Sequence, residues 1–440
     1  MITTVDSIIH AGSIIPVVPH HVVLANHSLV IQDGKISDIL PTDTCKNTYS
    51  AKVEHDLSNH VLIPGLINLH THAAMSLMRG LADDLPLMTW LNEHIWPAEK
   101  QFVNDEFVYD GTLLACAEML RGGTTYFNDM YFFPEAIARA TLQAGMRANL
   151  GLVILEFPTG YATDANDYIH KGLATRDALK DENLISFSMA PHAPYTVSDK
   201  VFEKIITLSE QLHCQIHMHT HETDDEIQGS LKQYNLRPLE RMQRLGLLSP
   251  NFVAVHAVHL TDGEIATLAE YGCHTAHCPT SNLKLASGVS PIDKMLAAGI
   301  NIGIGTDGAA SNNRLDMLSE IRLAALLAKG ISGKADTVPA ETALAMATIN
   351  AARALGVDSV VGSLEKGKCA DITAIKLDSL EASPCFHPAS QIVYASSREH
   401  VSHVWVAGKL QLDNGNLTNI DIGEVKAKAT YWQSKLEKWQ

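Results

Sequence analysis

A chain of 440 residues with a formal net charge of -16 is a poor partner for nucleic acid, because a phosphate backbone repels it. Its 46% apolar and 19% charged content describes a globular protein with a sizeable core, built as one large barrel or as two to three domains. No apolar stretch approaches a membrane span, and "MITTVDSIIHAGSIIPVV" lacks the basic start of a secretion signal. Seven cysteines, odd in number and without a CxxC pair, fit free thiols in a reducing, cytoplasmic setting.

The two ends read alike. "SLVIQDGKISDIL" (28–40) alternates apolar residues around Asp33-Gly34, a hairpin signal. "GSLEKGKCADITAI" (362–375) and "VSHVWVAGKLQLDNG" (401–415) repeat that texture. Residues 1–60 and 365–425 are therefore expected to form one small β-sandwich domain. Residues 426–440 are expected to form a C-terminal helix.

The middle, residues 61–364, alternates short apolar runs with longer helical patterns. In chain order the runs are 60–70, 124–129, 147–154, 184–190, 214–219, 252–256, 273–277 and 300–307. Between the first two lies "DGTLLACAEMLRGG" (110–123), whose paired glycines read as a helix stop. Eight strand-helix units over about 300 residues predict a closed (β/α)8 barrel, with a doubly wound open sheet as the alternative.

Barrel chemistry is done at the C-terminal ends of the strands. Run one ends in His70 and His72, which share a face because residues i and i+2 of a strand point the same way. Run five ends in His219, run six in His256 and run eight in Asp307; Pro191 and His192 follow run four. Imidazoles and a carboxylate gathered at strand ends are what a metal needs. In "HCQIHMHTHET", His217, His219 and His221 share parity, so position must choose among them. The strand should end near His219, leaving His217 a layer deeper as a core residue and His221 beyond the end.

Two other motifs point elsewhere. "GIGTDG" (303–308) has the spacing of a dinucleotide fingerprint, but it sits in the last strand, with Asp307 where pyrophosphate would approach. Lys284, in "PTSNLKL", reads as a solvated lysine.

Together, His70-Thr71-His72, His219 with Glu222 three residues on, His256 and the "GTDG" Asp307 resemble the amidohydrolase superfamily, and within it the mononuclear deaminase branch. "HTHAAMSLMRGLADDLPLMTWLNEHIWPAE" (70–99), "APHAPYTVS" (190–198), "AHCPTSNLKL" (276–285) and "GTDGAASNN" (305–313) are similar to methylthioadenosine/S-adenosylhomocysteine deaminases and the related triazine hydrolases. The resemblance implies a distorted barrel with a small β-sandwich, often as a homodimer. It implies one divalent metal, usually zinc, on His70, His72, His219 and Asp307. The metal lowers the pKa of water from 15.7 to about 7. Asp307 then accepts the water proton, His256 orients the hydroxide, and Glu222 protonates a ring nitrogen. The expected reaction turns an amino-purine nucleoside and water into the oxo-purine nucleoside and ammonia.

The resemblance further implies that Glu99 meets the ribose hydroxyls and His192 touches the substrate. Pro97 is expected to free a loop bearing Glu99. Leu81, Leu85, Leu87, Met88 and Trp90 are expected to give a thioether methyl an apolar wall. Some family members carry arginines after the third strand; here "GLVILEFPTGYA" (151–162) has none, which favours methylthioadenosine over a homocysteine tail. Other substrates for the same metal set are guanine, pterins and triazines. A non-catalytic scaffold should lack a ligand, and an NAD-dependent oxidoreductase would need its glycine motif in the first strand.

Overall fold

A computed structural model describes residues 2–439. It contains sixteen strands in two sheets among the described residues. They are β1 Thr3–Ile14, β2 Leu24–Gln32, β3 Lys35–Pro41, β4 Tyr49–Pro64, β5 Leu66–Thr71, β6 Thr124–Tyr131, β7 Arg147–Ile154, β8 Ile185–Pro191, β9 Ile216–Thr220, β10 Phe252–His256, β11 His274–His277, β12 Asn301–Ile304, β13 Ile372–Lys376, β14 Val401–Val406, β15 Lys409–Asp413 and β16 Asn416–Leu417. Backbone contacts separate one compact unit of Met1–Ile67, Glu118–Tyr126 and Asp316–Ile420 from another of Asn68–Ala117, Phe127–Leu315 and Asp421–Gln440.

The first unit carries a sheet drawn from both termini, in the order β16-β15-β14-β13-β4-β1-β2-β3. Its hairpins turn where the glycines predict. Asp33 and Gly34 have φ of 52° and 74°, and Ala407 and Gly408 have 48° and 75°. Positive φ at both central residues matches the twist of the flanking strands. Alternation along β2 sends Leu29 and Ile31 into a core shared with Ile9, Ile372 and Trp405, and Val30 into a smaller one with Ile8 and Cys45.

The second sheet runs β5 through β12, each strand beside its sequence neighbour. Each of the eight expected runs overlaps one of its strands, β5, β6, β8 and β9 running one or two residues further. The first run, however, is divided. Residues 60–64 finish β4 in the terminal sheet, and the barrel strand begins only at Leu66. Gly65 sits at the break, where an added Cβ would lie 2.1 Å from Thr125 Oγ1. A run buried on both faces shows no periodicity, so the change of sheet left no mark on it.

The first and last strands of this sheet meet just past the end of β12. Thr306 N donates to Asn68 Oδ1 at 2.9 Å and Asp307 N to His70 O at 2.9 Å. A Cβ on Gly305 would come within 2.7 Å of His70 N. Gly305 of "GIGTDG" therefore admits a neighbouring backbone, a role that needs no nucleotide. None of the helices among the described residues is long and apolar enough to cross a membrane.

Candidate active site

The strand ends bring most of the expected groups together. His70, His72 and His219 present ring nitrogens that lie within 4.8 Å of one another, and so do the ligand atoms of His70, His256 and Asp307. Asp307 Oδ1 is 3.3 Å from both His70 Nε2 and His72 Nε2. Register explains the pairing of the later two strands. Val255 lies opposite His219, so His256 falls one step beyond it. The two rings stack with centroids 5.5 Å apart.

Each imidazole is oriented by what its other nitrogen touches. His72 Nδ1 faces Met130 O at 2.6 Å, and His219 Nδ1 faces His192 O at 2.8 Å. Those carbonyls require Nδ1–H, which leaves Nε2 with a lone pair. His70 Nδ1 meets His217 Nε2 at 3.0 Å, so His217 does lie deeper, but it touches a strand-end histidine directly. His221 turns away. Its Nδ1 faces His259 O and its Nε2 accepts from Leu239 N.

Burial favours the neutral form of His70, His192 and His219, while Asp307 stays charged. Burial pushes His70 down to about 4 and His192 to about 3, and pushes His219 well below the usual range; neighbouring imidazoles add to each. Burial works the other way on Asp307, but His70 and the surrounding rings hold its carboxyl well below the usual range. Neutral imidazoles beside a carboxylate are the protonation states a divalent cation requires. Moreover, His70 Nε2 is fully buried without a hydrogen-bond partner. An orphaned buried lone pair calls for a ligand. The donor set thus fits a divalent metal.

Glu222 enters the same space, its Oε2 3.8 Å from His256 Nε2. Burial raises its pKa, His256 lowers it, and Asp307 raises it again. Sequence reasoning missed the groups that hold these residues. Glu226 accepts the backbone N–H of both His221 and Glu222, each at 2.9 Å. Burial pushes Glu226 up to about 7. Thr223-x-x-Glu226 has the spacing of a capping box, and Thr223 does cap Glu226 N. The Glu226 carboxylate reaches one and two residues further back than that motif predicts. Asn282 Oδ1 lies 2.8 Å from His256 Nδ1, and Ser281 and Ser311 donate to Asp307 Oδ2 at 2.6 and 2.8 Å. His221, His256 and Asp307 all have positive φ, of 55°, 69° and 62°. Such backbone strain, about 1–3 kcal/mol at each residue, clusters where function requires a side chain to be aimed.

Above the cluster opens a cavity of about 310 Å³ lined by His72, His192, His219, Glu222, His256 and Asp307 at one end. Glu99 lines it too, accepting from Tyr131 Oη at 2.7 Å. Burial pushes Glu99 up to about 7, and the tyrosine opposes that shift. Glu99 does not ride on a loop. It belongs to the Trp96–Phe102 helix, in which Pro97 occupies the first turn, where its missing N–H costs nothing. The apolar wall is made by Leu87, Trp90, Leu91, Ile95 and Trp96, not by Leu81, Leu85 or Met88. Leu155, Phe157 and Tyr161 of the arginine-free stretch line it as well, and Lys100 is the one Lys or Arg among the lining residues. Lys284 is not solvated. Its side chain is 19% exposed and pairs with Asp83 at 2.6 Å.

The Amidohydrolase family model matches residues 61–411. A 5-methylthioadenosine/S-adenosylhomocysteine deaminase of Teredinibacter turnerae is 48% identical over 434 residues, covering 99% of this chain and 98% of its own. One from Saccharophagus degradans is 47% identical over 435 residues, covering 99% and 98%. Among solved structures, an adenosine deaminase from Xanthomonas campestris with bound zinc superposes with a TM-score of 0.98 at 45% identity, over 100% of both chains. An atrazine chlorohydrolase of Arthrobacter aurescens shares the fold, with a TM-score of 0.90 at 22% identity over 97% and 99% of the two chains. With the family model matching residues 61–411 and kinship running end to end, the chain belongs to the amidohydrolase family.

Proposed function

We propose that this chain is a metal-dependent hydrolytic deaminase of purine nucleosides. Its preferred substrate is 5′-methylthioadenosine, with S-adenosylhomocysteine or adenosine as related substrates, and its products are the inosine analogue and ammonia. The observation that carries this reading is the meeting of His70, His72, His219 and Asp307 beside Glu222 and His256, next to a largely apolar cavity that all of them but His70 line.

His70, His72, His219 and Asp307 would hold one divalent ion, zinc by preference. The chemistry such an ion supplies is Lewis acidity, which lowers the pKa of water and makes a nucleophile available at neutral pH. The residues do the rest. Asp307 takes the proton of the attacking water. His256, fixed through Nδ1 by Asn282, aims Nε2 at that water. Glu222 protonates the ring nitrogen beside the amine-bearing carbon, which makes that carbon electrophilic. The water oxygen bonds to that carbon, Asp307 passes the proton it took to the amine, and the C–N bond breaks to release ammonia. As the carbonyl forms, the hydroxyl proton returns to Glu222, and the ring nitrogen keeps the proton it received.

His217 serves this centre through His70. Groups that orient a ligand commonly govern 10–100-fold in metal affinity. His217→Ala is accordingly expected to weaken zinc binding by about that factor in a chelator competition while the chain still folds. Unchanged affinity would return His217 to plain packing.

The substrate assignment rests on Glu99 and the wall around it. A carboxylate can accept two hydrogen bonds from a cis-diol, and bonds to a charged group are worth about 1.5–3 kcal/mol. An ammonia-release screen should therefore show 5′-methylthioadenosine turned over faster than adenine and than its 2′- or 3′-deoxy analogues. Glu99→Ala should raise KM for the ribonucleoside roughly 10- to 100-fold, leaving any free-base activity nearly unchanged. The pH dependence has a definite sign. Glu99 becomes a carboxylate as pH rises through about 7, so KM for the ribonucleoside should fall across that range. The Ala variant should lose this dependence. A better rate on the free base, or a Glu99→Ala variant that treats ribo and deoxy substrates as the parent does, would point instead to a base or pterin deaminase. A cytoplasmic homodimer completes the proposal. The odd number of cysteines and the lack of a CxxC pair support the compartment, and mass measurement in solution would check the dimer.

A further inference from the structure

The six-residue helix Pro279–Lys284 makes three contacts in a row that the proposed chemistry uses only in part. Ser281 bonds Asp307 and Asn282 bonds His256. Lys284 reaches the other way, to Asp83 Oδ1 at 2.6 Å, to Ala310 O at 3.3 Å and to Asn313 Oδ1. Asn313 closes the triangle. Its Nδ2 donates to Asp83 Oδ2 at 2.9 Å, and its carbonyl accepts from Arg79 Nη1 at 2.7 Å. Asn313 follows the Ala309–Asn312 helix, whose Ser311 also bonds Asp307.

Asp83 lies in the stretch between Gly80 and Leu87, which has no helix or strand of its own. That stretch leads into the wall segment bearing Leu87, Trp90, Leu91, Ile95, Trp96 and Glu99. A segment with so little backbone pairing opens easily unless side chains tie it down. Here two donors converge on one carboxylate, and the Lys284 and Asp83 side chains are only 19% and 35% exposed. Several converging bonds make this more than an isolated surface pair.

We propose that Lys284 and Asp83 form a latch that positions the 81–102 wall, and through it Glu99, against the groups held by Ser281 and Asn282. Because one short helix holds both, a change at the latch is felt as misplacement of the wall relative to the reacting end of the cavity. Lys284 and Asp83 are positioning residues; neither lines the cavity. The substrate readout below rests on the nucleoside reading, and the exchange readout does not.

The test uses the full-length, zinc-loaded protein and three variants: Lys284→Met, the isosteric Asp83→Asn, and Lys284→Arg, which keeps the charge. Amide hydrogen exchange over residues 81–102 should speed up roughly tenfold in the first two, with exchange in the barrel strands and zinc content unchanged. KM for 5′-methylthioadenosine should rise about tenfold with kcat within about twofold. Lys284→Arg should restore most of both. The double variant Asp83→Asn/Lys284→Met should be no worse than the poorer single, because the two residues act as one unit. Unchanged exchange in both single variants would overturn the latch. Faster exchange with an unchanged KM would overturn its positioning role. If the wild-type protein turns over no nucleoside, the proposed function falls, and the exchange result alone decides the latch.

Discussion

Replacing Glu222 by Gln is expected to leave fold and metal content intact and to lower turnover by about 10²–10⁴, the range ascribed to a general acid-base group. The substitution keeps the shape and reach of the side chain and removes its capacity to give and take a proton. The turn that carries it should survive, because Glu226 grips the backbone N–H groups of His221 and Glu222 and not the Glu222 side chain. His256→Ala should also slow the reaction with the metal retained, since His256 stands 3.8 Å from Glu222 without belonging to the expected ligand set. Stopped assays for ammonia, alongside zinc analysis of each variant, separate the two effects. A Gln variant with near-normal turnover would take Glu222 out of the mechanism and leave Asp307 as the only carboxylate at the reacting end.

What could be read from the sequence was whatever leaves a periodic or positional mark. The Asp33-Gly34 hairpin was legible because its turn requires positive φ at both residues, and few residue pairs supply it. Barrel strands were legible as short apolar runs because a parallel sheet is buried on both faces. That same burial hid the boundary at Gly65, where one run serves two sheets. Pro97, two residues before Glu99, reads as a breaker, which would put the carboxylate on a loop. At the first turn of a helix a proline breaks nothing, and its position relative to the helix start is settled by packing further along the chain.

The strand-end groups were legible for a similar reason: parity and strand length together constrain which side chains reach the barrel mouth. The residues that hold them were not. Glu226, Ser281, Asn282 and Lys284 act across 4 to 201 positions of sequence, and each looks locally like a cap, a turn residue or a surface charge. Nothing in "PTSNLKL" announces that three of its residues face three different partners. Only the crossing of the loops after β5, β11 and β12 makes them neighbours. Supporting shells are commonly of this kind, since their partners are brought together by the fold and not by a motif.

His219→Ala is expected to cost the protein most of its metal and, with it, most of its activity. The purified parent should hold about one divalent ion per chain, as a catalytic centre with an open position does. His219 is firmly held: His192 O takes both its backbone N–H and its Nδ1, and its ring packs against four other imidazoles. Its Nε2 is therefore aimed with little freedom, and neither of the two same-parity histidines can swing in to replace it. His217 is held by His70 one layer down, and His221 by Leu239 N and His259 O. Removing one of four ligands leaves His70, His72 and Asp307, a set that still attracts a cation weakly. The loss should thus appear as a steep fall in affinity, measured by elemental analysis after dialysis against chelator, with the apo-protein still folded by circular dichroism. Two ions per parent chain would contradict a mononuclear centre. Full occupancy in the His219→Ala variant would mean that the ion sits elsewhere, and the roles given to Asp307 and His256 would have to be reassigned with it.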